Sequence, residues 1–172
     1  MVGDHRGLEV IRAICVALAL IATPACATEA AVVDRLAPLA FLEGCWVGTF
    51  EGAALRDERC FERGLNGHIL RDRHEVVGAG YGGETIYAWN AEAQRIDVMY
   101  YANDGGVMTG RVAEEGGVLS VLDARYVSES GVQNLRSRWI RGGDGFAVET
   151  DRFESGAWVR FMRITYVRAS AQ

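Results

Sequence analysis

Residues 44–62 read GCWVGTFEGAALRDERCFE, an outward run, a small-residue turn and a return run. With Gly52 and Ala53 as the turn of a hairpin, Cys45 lies opposite Cys60, Trp46 opposite Arg59 and Phe50 opposite Leu55. Side chains alternate faces along a strand, so one face carries Trp46, Phe50, Leu55 and Phe61, and the other carries Arg56, Glu58, Glu62 and both cysteines. The first face points inward. Gly44 and Gly48 leave room for an indole to fold across the end of a barrel. The next turn, GLNG at 64–67, keeps the parity and places His68, Leu70, Asp72, His74 and Val76 on the same inward face. An interior holding Asp57, Arg59, Asp72 and His74 is partly polar, and buried charges must be paired or wetted. The inside is therefore either a salt-bridged plug or a ligand cavity.

The rest of the chain repeats this pattern. After a short helical lead-in, AAVVDRLAPLAFLEG, come runs rich in Val, Ile, Tyr, Phe and Trp separated by glycine-bearing turns such as NDGG, EEGG and ESGA. Strands are expected near 44–51, 55–63, 67–77, 84–90, 94–102, 106–113, 117–126, 132–141, 145–153 and 157–168. About ten short strands in sequence make an antiparallel up-and-down meander, and closure into an all-β barrel removes its exposed edges.

Residues 1–27 have the outline of a secretory signal: Arg6 and Arg12 precede the apolar run AICVALALIA, followed by TPACATEA. The run is about ten residues, roughly half of what a membrane-spanning helix needs. Cleavage after Ala27 fits the small residues Ala25 and Ala27, and leaves a barrel domain over residues 28–172; the alternative is a lipid anchor on Cys26 as the new first residue. A periplasmic or secreted location follows, and in an oxidising compartment Cys45 and Cys60 are expected to pair, with Cα atoms about 4.4–6.8 Å apart. The alternative is two unpaired thiols.

The net charge of −5, with every one of the 18 basic residues an arginine, argues against nucleic acid, which needs clustered excess cation. No metal site is expected. There is no Cys-x-x-Cys, and His68 and His74 stand about 20 Å apart on an extended strand at ~3.3 Å per residue.

Gly44-x-Trp46 on the first strand, the ten-strand meander, the stretch YAWNAEAQRIDVMYYANDGG and Tyr166-x-Arg168 near the end resemble the calycin superfamily, and more narrowly its bacterial lipocalin-like families of unknown function. The resemblance covers roughly residues 38–168. It implies a barrel plug in which Arg168, with Arg163 as the substitute, stacks across Trp46, a contact worth about 0.5–2 kcal/mol. Ten strands are nearer the fatty-acid-binding branch than the eight-stranded lipocalins. The haem-binding barrels use a histidine near the C-terminus, and this chain has none after His74; no cofactor is expected.

Other motifs carry less chemistry. GAGYGG at 78–83 matches G-x-G-x-x-G but leads into ETIYAWN, a strand by composition, so no helix N-terminus follows to hold a pyrophosphate. In NLRSRWIR the arginines fall on two faces, at least one of them solvated. Candidate ligand contacts are Arg59, Asp72 and His74 on the inward face, with Tyr87 and Tyr101 from the aromatic girdle of the middle strands. The leading expectation is a non-enzymatic barrel holding a small apolar or amphipathic molecule. The alternatives are isomerase or hydratase chemistry using His74, Asp72, Arg59 and a tyrosine, or a structural envelope domain with a packed interior.

Overall fold

The computed structural model describes residues 33–170; the leader expected over residues 1–27, Cys26 included, lies outside them. Ten strands follow in chain order: β1 (Gly44–Phe50), β2 (Arg56–Gly64), β3 (Ile69–Val76), β4 (Tyr81–Asn90), β5 (Arg95–Ala102), β6 (Val107–Glu115), β7 (Val118–Ser128), β8 (Gly131–Gly142), β9 (Gly145–Glu154) and β10 (Ala157–Arg168). Each pairs antiparallel with the next, and β10 pairs with β1, so the sheet is a closed up-and-down barrel. The lead-in is a 3-10 helix, Ala37–Leu42, rather than a longer helix; Pro38 near its start supplies no backbone N–H. Leu36, Leu39 and Leu42 are buried in one core with Trp46 and Phe146, closing one end of the barrel.

The first hairpin has the register expected from its turn, with Cys45 opposite Cys60, Trp46 opposite Arg59 and Gly48 opposite Asp57. The β2–β3 ladder continues it, Arg59 facing His74 and Phe61 facing Asp72. Asp57, Phe61, Leu70, Asp72 and Val76 are buried, whereas Arg56, Glu58 and Glu62 are exposed. Two inward assignments fail at the strand ends. Leu55 is 39% exposed because it precedes β2 at the open rim, and His68 is exposed because a 3-10 turn over Leu65–Gly67 delays β3 to Ile69. The two glycines beside Trp46 make room for other side chains. A Cβ on Gly48 would lie 2.5 Å from the Tyr166 ring and 2.7 Å from Ile164, and one on Gly44 would collide with the Arg168 guanidinium. The second half of the GAGYGG string is strand rather than loop, with Tyr81 to Gly83 already in β4.

Cys45 and Cys60 form a disulfide on the outer face, with Cα atoms 4.1 Å apart. The separation is just below the expected window, near the ~4.5 Å of the narrow, non-hydrogen-bonded kind of antiparallel pair. The bridge spans 15 residues, for which chain entropy gives about 3 kcal/mol. Because the hairpin already holds the two strands together, that figure is an upper bound. Adding reductant, or replacing both cysteines by serine, should lower the urea midpoint accordingly; an unchanged midpoint would show that the bridge does not restrain the unfolded chain.

Candidate functional site

The described residues leave the barrel unfilled. A cavity of about 370 Å³ occupies its centre, opening at the end opposite the 3-10 helix. The closed end is floored by aromatic rings: Phe146 stacks on Trp139 and Tyr166 at 5.5 and 4.7 Å between centroids and meets Trp46 edge-on at 4.8 Å. Apolar walls come from Val98, Met108, Val121, Leu135, Met162 and Ile164. Strand alternation places Val98, Met108, Val121 and Leu135 inward, while on β10 the pairing shifts between Arg160 and Met162 and the adjacent Phe161 and Met162 both line the space.

At the base of this apolar space lies a polar cluster from β2, β3, β5 and β10. The Arg59 guanidinium has its Nε 3.4 Å from Asp57 Oδ2 and 3.3 Å from Asp72 Oδ1. Asp57 is held on both oxygens: Tyr166 donates its hydroxyl to Oδ2 at 2.7 Å, and His74 Nδ1 lies 2.8 Å from Oδ1. An ionised carboxylate only accepts, so Nδ1 carries the hydrogen of that bond. The other ring nitrogen, Nε2, lies 3.1 Å from the Tyr100 hydroxyl. On the far wall Ser137 and Thr150 share a hydrogen bond of 2.9 Å. His74, Tyr87 and Tyr100 all line the cavity with Arg59 and Asp72.

The two aspartates are driven apart electrostatically. Burial pushes the Asp57 carboxyl up, but the His74 hydrogen bond and the Arg59 charge outweigh it, and Asp57 is held below the usual carboxylate range. Burial dominates at Asp72 and raises its carboxyl in spite of Arg59. Among the described residues the Asp72 oxygens, the Arg59 Nε and the Trp139 Nε1 make no hydrogen bond of good geometry, although the hydroxyl of Thr85, the ladder partner of Asp72, helps to pull that carboxyl down. Burial likewise raises the hydroxyls of Tyr87, Tyr100 and Tyr166, which stay protonated donors.

Asp72 makes stability depend on pH with a definite sign. Its folded pKa lies above the unfolded value of ~3.9, so the native state binds this proton more tightly. The stabilisation is complete below the unfolded pKa and is lost as pH rises through the folded one. Asp72→Asn should therefore gain on the wild type as pH rises from 4 to 8, read from urea midpoints across that range; a constant difference would mean that Asp72 does not titrate between the two states.

The remaining candidates separate cleanly. Tyr87 is buried and lines the cavity, whereas Tyr101 is 46% exposed on the outer face and it is Tyr100 that lines the interior. Trp46 lies beneath the floor, with the Arg168 guanidinium carbon 3.8 Å from its ring centroid. Arg163 lies elsewhere, 3.4 Å from Glu149. The partner of His74 is Asp57 rather than Asp72: neighbours two apart on a strand share a face, but His74 reaches diagonally across the ladder. In NLRSRWIR, Arg136 and Arg138 pair with Asp151 and Glu149, and Arg141 stacks on Phe41.

Among the described residues, no group of three or more His, Cys, Asp or Glu is placed to hold a metal ion, and no helix is long and apolar enough to cross a membrane. Comparison of the chain with models of known protein families found no match, and neither did comparison with curated proteins.

Proposed function

We propose that this chain is an exported, calycin-like barrel that binds a small apolar or amphipathic molecule without chemically changing it. The observation that carries the proposal is the cavity: about 370 Å³, open at one end, apolar along its walls and polar at its base. That volume falls within the range of about 300–1,000 Å³ typical of small-molecule sites. A purely structural domain has no use for such a void, because unfilled interior forfeits dispersion contacts. Export is supported by the leader-like residues 1–27 and by the Cys45–Cys60 bridge.

The test is titration with N-phenylnaphthylamine, a neutral fluorophore that brightens in apolar surroundings. Saturable enhancement is expected, together with its loss in Met108→Trp, which fills the cavity from one wall. An absence of saturable binding in the wild type would refute the proposal.

An acid–base enzyme is the second reading, favoured by one feature, the Asp57–His74–Tyr100 chain of hydrogen bonds at the cavity wall. A histidine oriented by a carboxylate and facing a hydroxyl can move a proton to or from a bound molecule. Recovery of the bound molecule chemically altered in the wild type but not in His74→Gln would establish this reading over passive binding.

A further inference from the structure

Resting on the binding proposal above, we infer that the base of the cavity selects a neutral polar head, a hydroxyl or carboxamide, and rejects a carboxylate. A single guanidinium in an apolar pocket ordinarily invites a carboxylate. Here Arg59 is already flanked by two, Asp57 and Asp72, at 3.4 and 3.3 Å. Both side chains are 1% exposed. A third carboxylate brought to Arg59 would lose its water and meet two anions where one cation stands. In a medium of low dielectric that repulsion outweighs the attraction of one shared guanidinium. Among the described residues Arg59 is the only arginine lining the cavity, and His74 is engaged with Asp57 and Tyr100.

A neutral head meets no such penalty, and the base of the cavity offers it partners of both kinds. Among the described residues the donor Trp139 Nε1 makes no hydrogen bond, and Arg59 Nε and the Asp72 oxygens, though ion-paired, make none of good geometry, in a buried setting where such groups are costly. Arg59 Nε is 3.3 Å from Asp72 Oδ1, and Trp139 borders the same base. Phe61, the ladder partner of Asp72, has its ring 6.0 Å from Trp139, and the Arg59 guanidinium carbon is 5.7 Å from the same indole. A hydroxyl or carboxamide both donates and accepts, so with small side-chain shifts it can serve Asp72 on one side and Trp139 or Arg59 on the other. An alkylammonium head would satisfy Asp72 alone and would face the charge of Arg59.

The experiment is displacement of N-phenylnaphthylamine from the full chain at neutral pH by decanol, decanamide and decanoate. The shared alkyl chain cancels, so the ratio of their dissociation constants reports the head alone. Decanol and decanamide should bind at least about tenfold more tightly than decanoate, a difference of ~1.4 kcal/mol. In Asp72→Asn, which removes one of the two flanking charges, the preference for decanol over decanoate should narrow about tenfold. Decanoate binding as tightly as the neutral pair in the wild type would overturn the inference while leaving the binding proposal intact. Saturable fluorophore binding that none of the three displaces would overturn it too. Failure of the fluorophore itself to bind would instead remove the binding proposal, and this inference with it. If Asp72→Asn does not fold, the wild-type comparison still decides.

Discussion

Arg59→Ala is expected to destabilise the barrel by about 3–5 kcal/mol at neutral pH, the range found when one partner of a buried charge pair is removed. The cost arises from what remains. Asp57 would keep the Tyr166 and His74 donors, but Asp72 would lose the guanidinium 3.3 Å away, the strongest influence holding its carboxyl down. The guanidinium also lies 5.4–5.8 Å from the rings of Phe61, Trp139 and Tyr166, so truncation removes packing against three aromatics. Two further measurements separate charge from packing. Without Arg59 the Asp72 carboxyl, already held above its usual range by burial, rises further, so the native state regains stability as pH falls through that folded value. The deficit of Arg59→Ala should then shrink between pH 8 and pH 5. Adding Asp72→Asn to the variant should recover part of it at neutral pH, because one of the two like charges is gone. A deficit that neither acid nor the second substitution reduces would mean that Arg59 acts through packing, and that the polar base of the cavity is not held by its charge.

That Arg59 and Asp72 share an interior was legible because one hairpin could be pinned at two points. The Gly52–Ala53 turn and the opposed cysteines agree on a single register, and period-two alternation then assigns every side chain of β1 to β3 a face. The pinning weakens with distance along the chain. Tyr100 and Tyr101 are adjacent and chemically equivalent, and the parity of β5 depends on how many residues the turn after Asn90 consumes. The signal that separates them is local: Arg95, Asp97 and Tyr101 share one parity, while Ile96, Val98 and Tyr100 share the other, so the charged partners mark the outer face. The bond from His74 to Asp57 was less accessible, since register places the two diagonally but only the rotamer makes them meet. Tyr166 stands in the sequence as half of a terminal Tyr-x-Arg pair, and its hydroxyl proves to be a polar element of the base. The lining of the void was only partly legible: the pairing shifts between Arg160 and Met162, so the adjacent Phe161 and Met162 both face it, which period-two alternation does not predict.

Trp46→Ala is expected to cost about 3–5 kcal/mol, the range for truncating a buried aromatic residue. The indole is 4% exposed and is fixed on three sides. Its Nε1–H donates to the Leu42 carbonyl at 2.6 Å, tying β1 to the 3-10 helix; its ring meets Phe146 at 4.8 Å; and the Arg168 guanidinium covers it while donating to the Glu43 carbonyl. Removing the indole therefore loosens the helix, the floor of the cavity and the β1–β10 seam together. The effect should appear as a lower urea midpoint with an unchanged slope, since the same surface is exposed on unfolding. Trp46→Phe keeps most of the apolar volume but leaves the Leu42 carbonyl without its donor, so it should cost less, about 1–3 kcal/mol. The double variant with Arg168→Ala isolates the stacking contact: the coupling between the two sites should be about 0.5–2 kcal/mol. Strict additivity would assign Arg168 to its carbonyl contacts alone. A loss below about 1 kcal/mol for Trp46→Ala, less than truncating a buried aromatic side chain allows, would place the indole at the surface and reverse the inward face of β1, β2 and β3, taking Arg59, Asp72 and His74 out of the cavity.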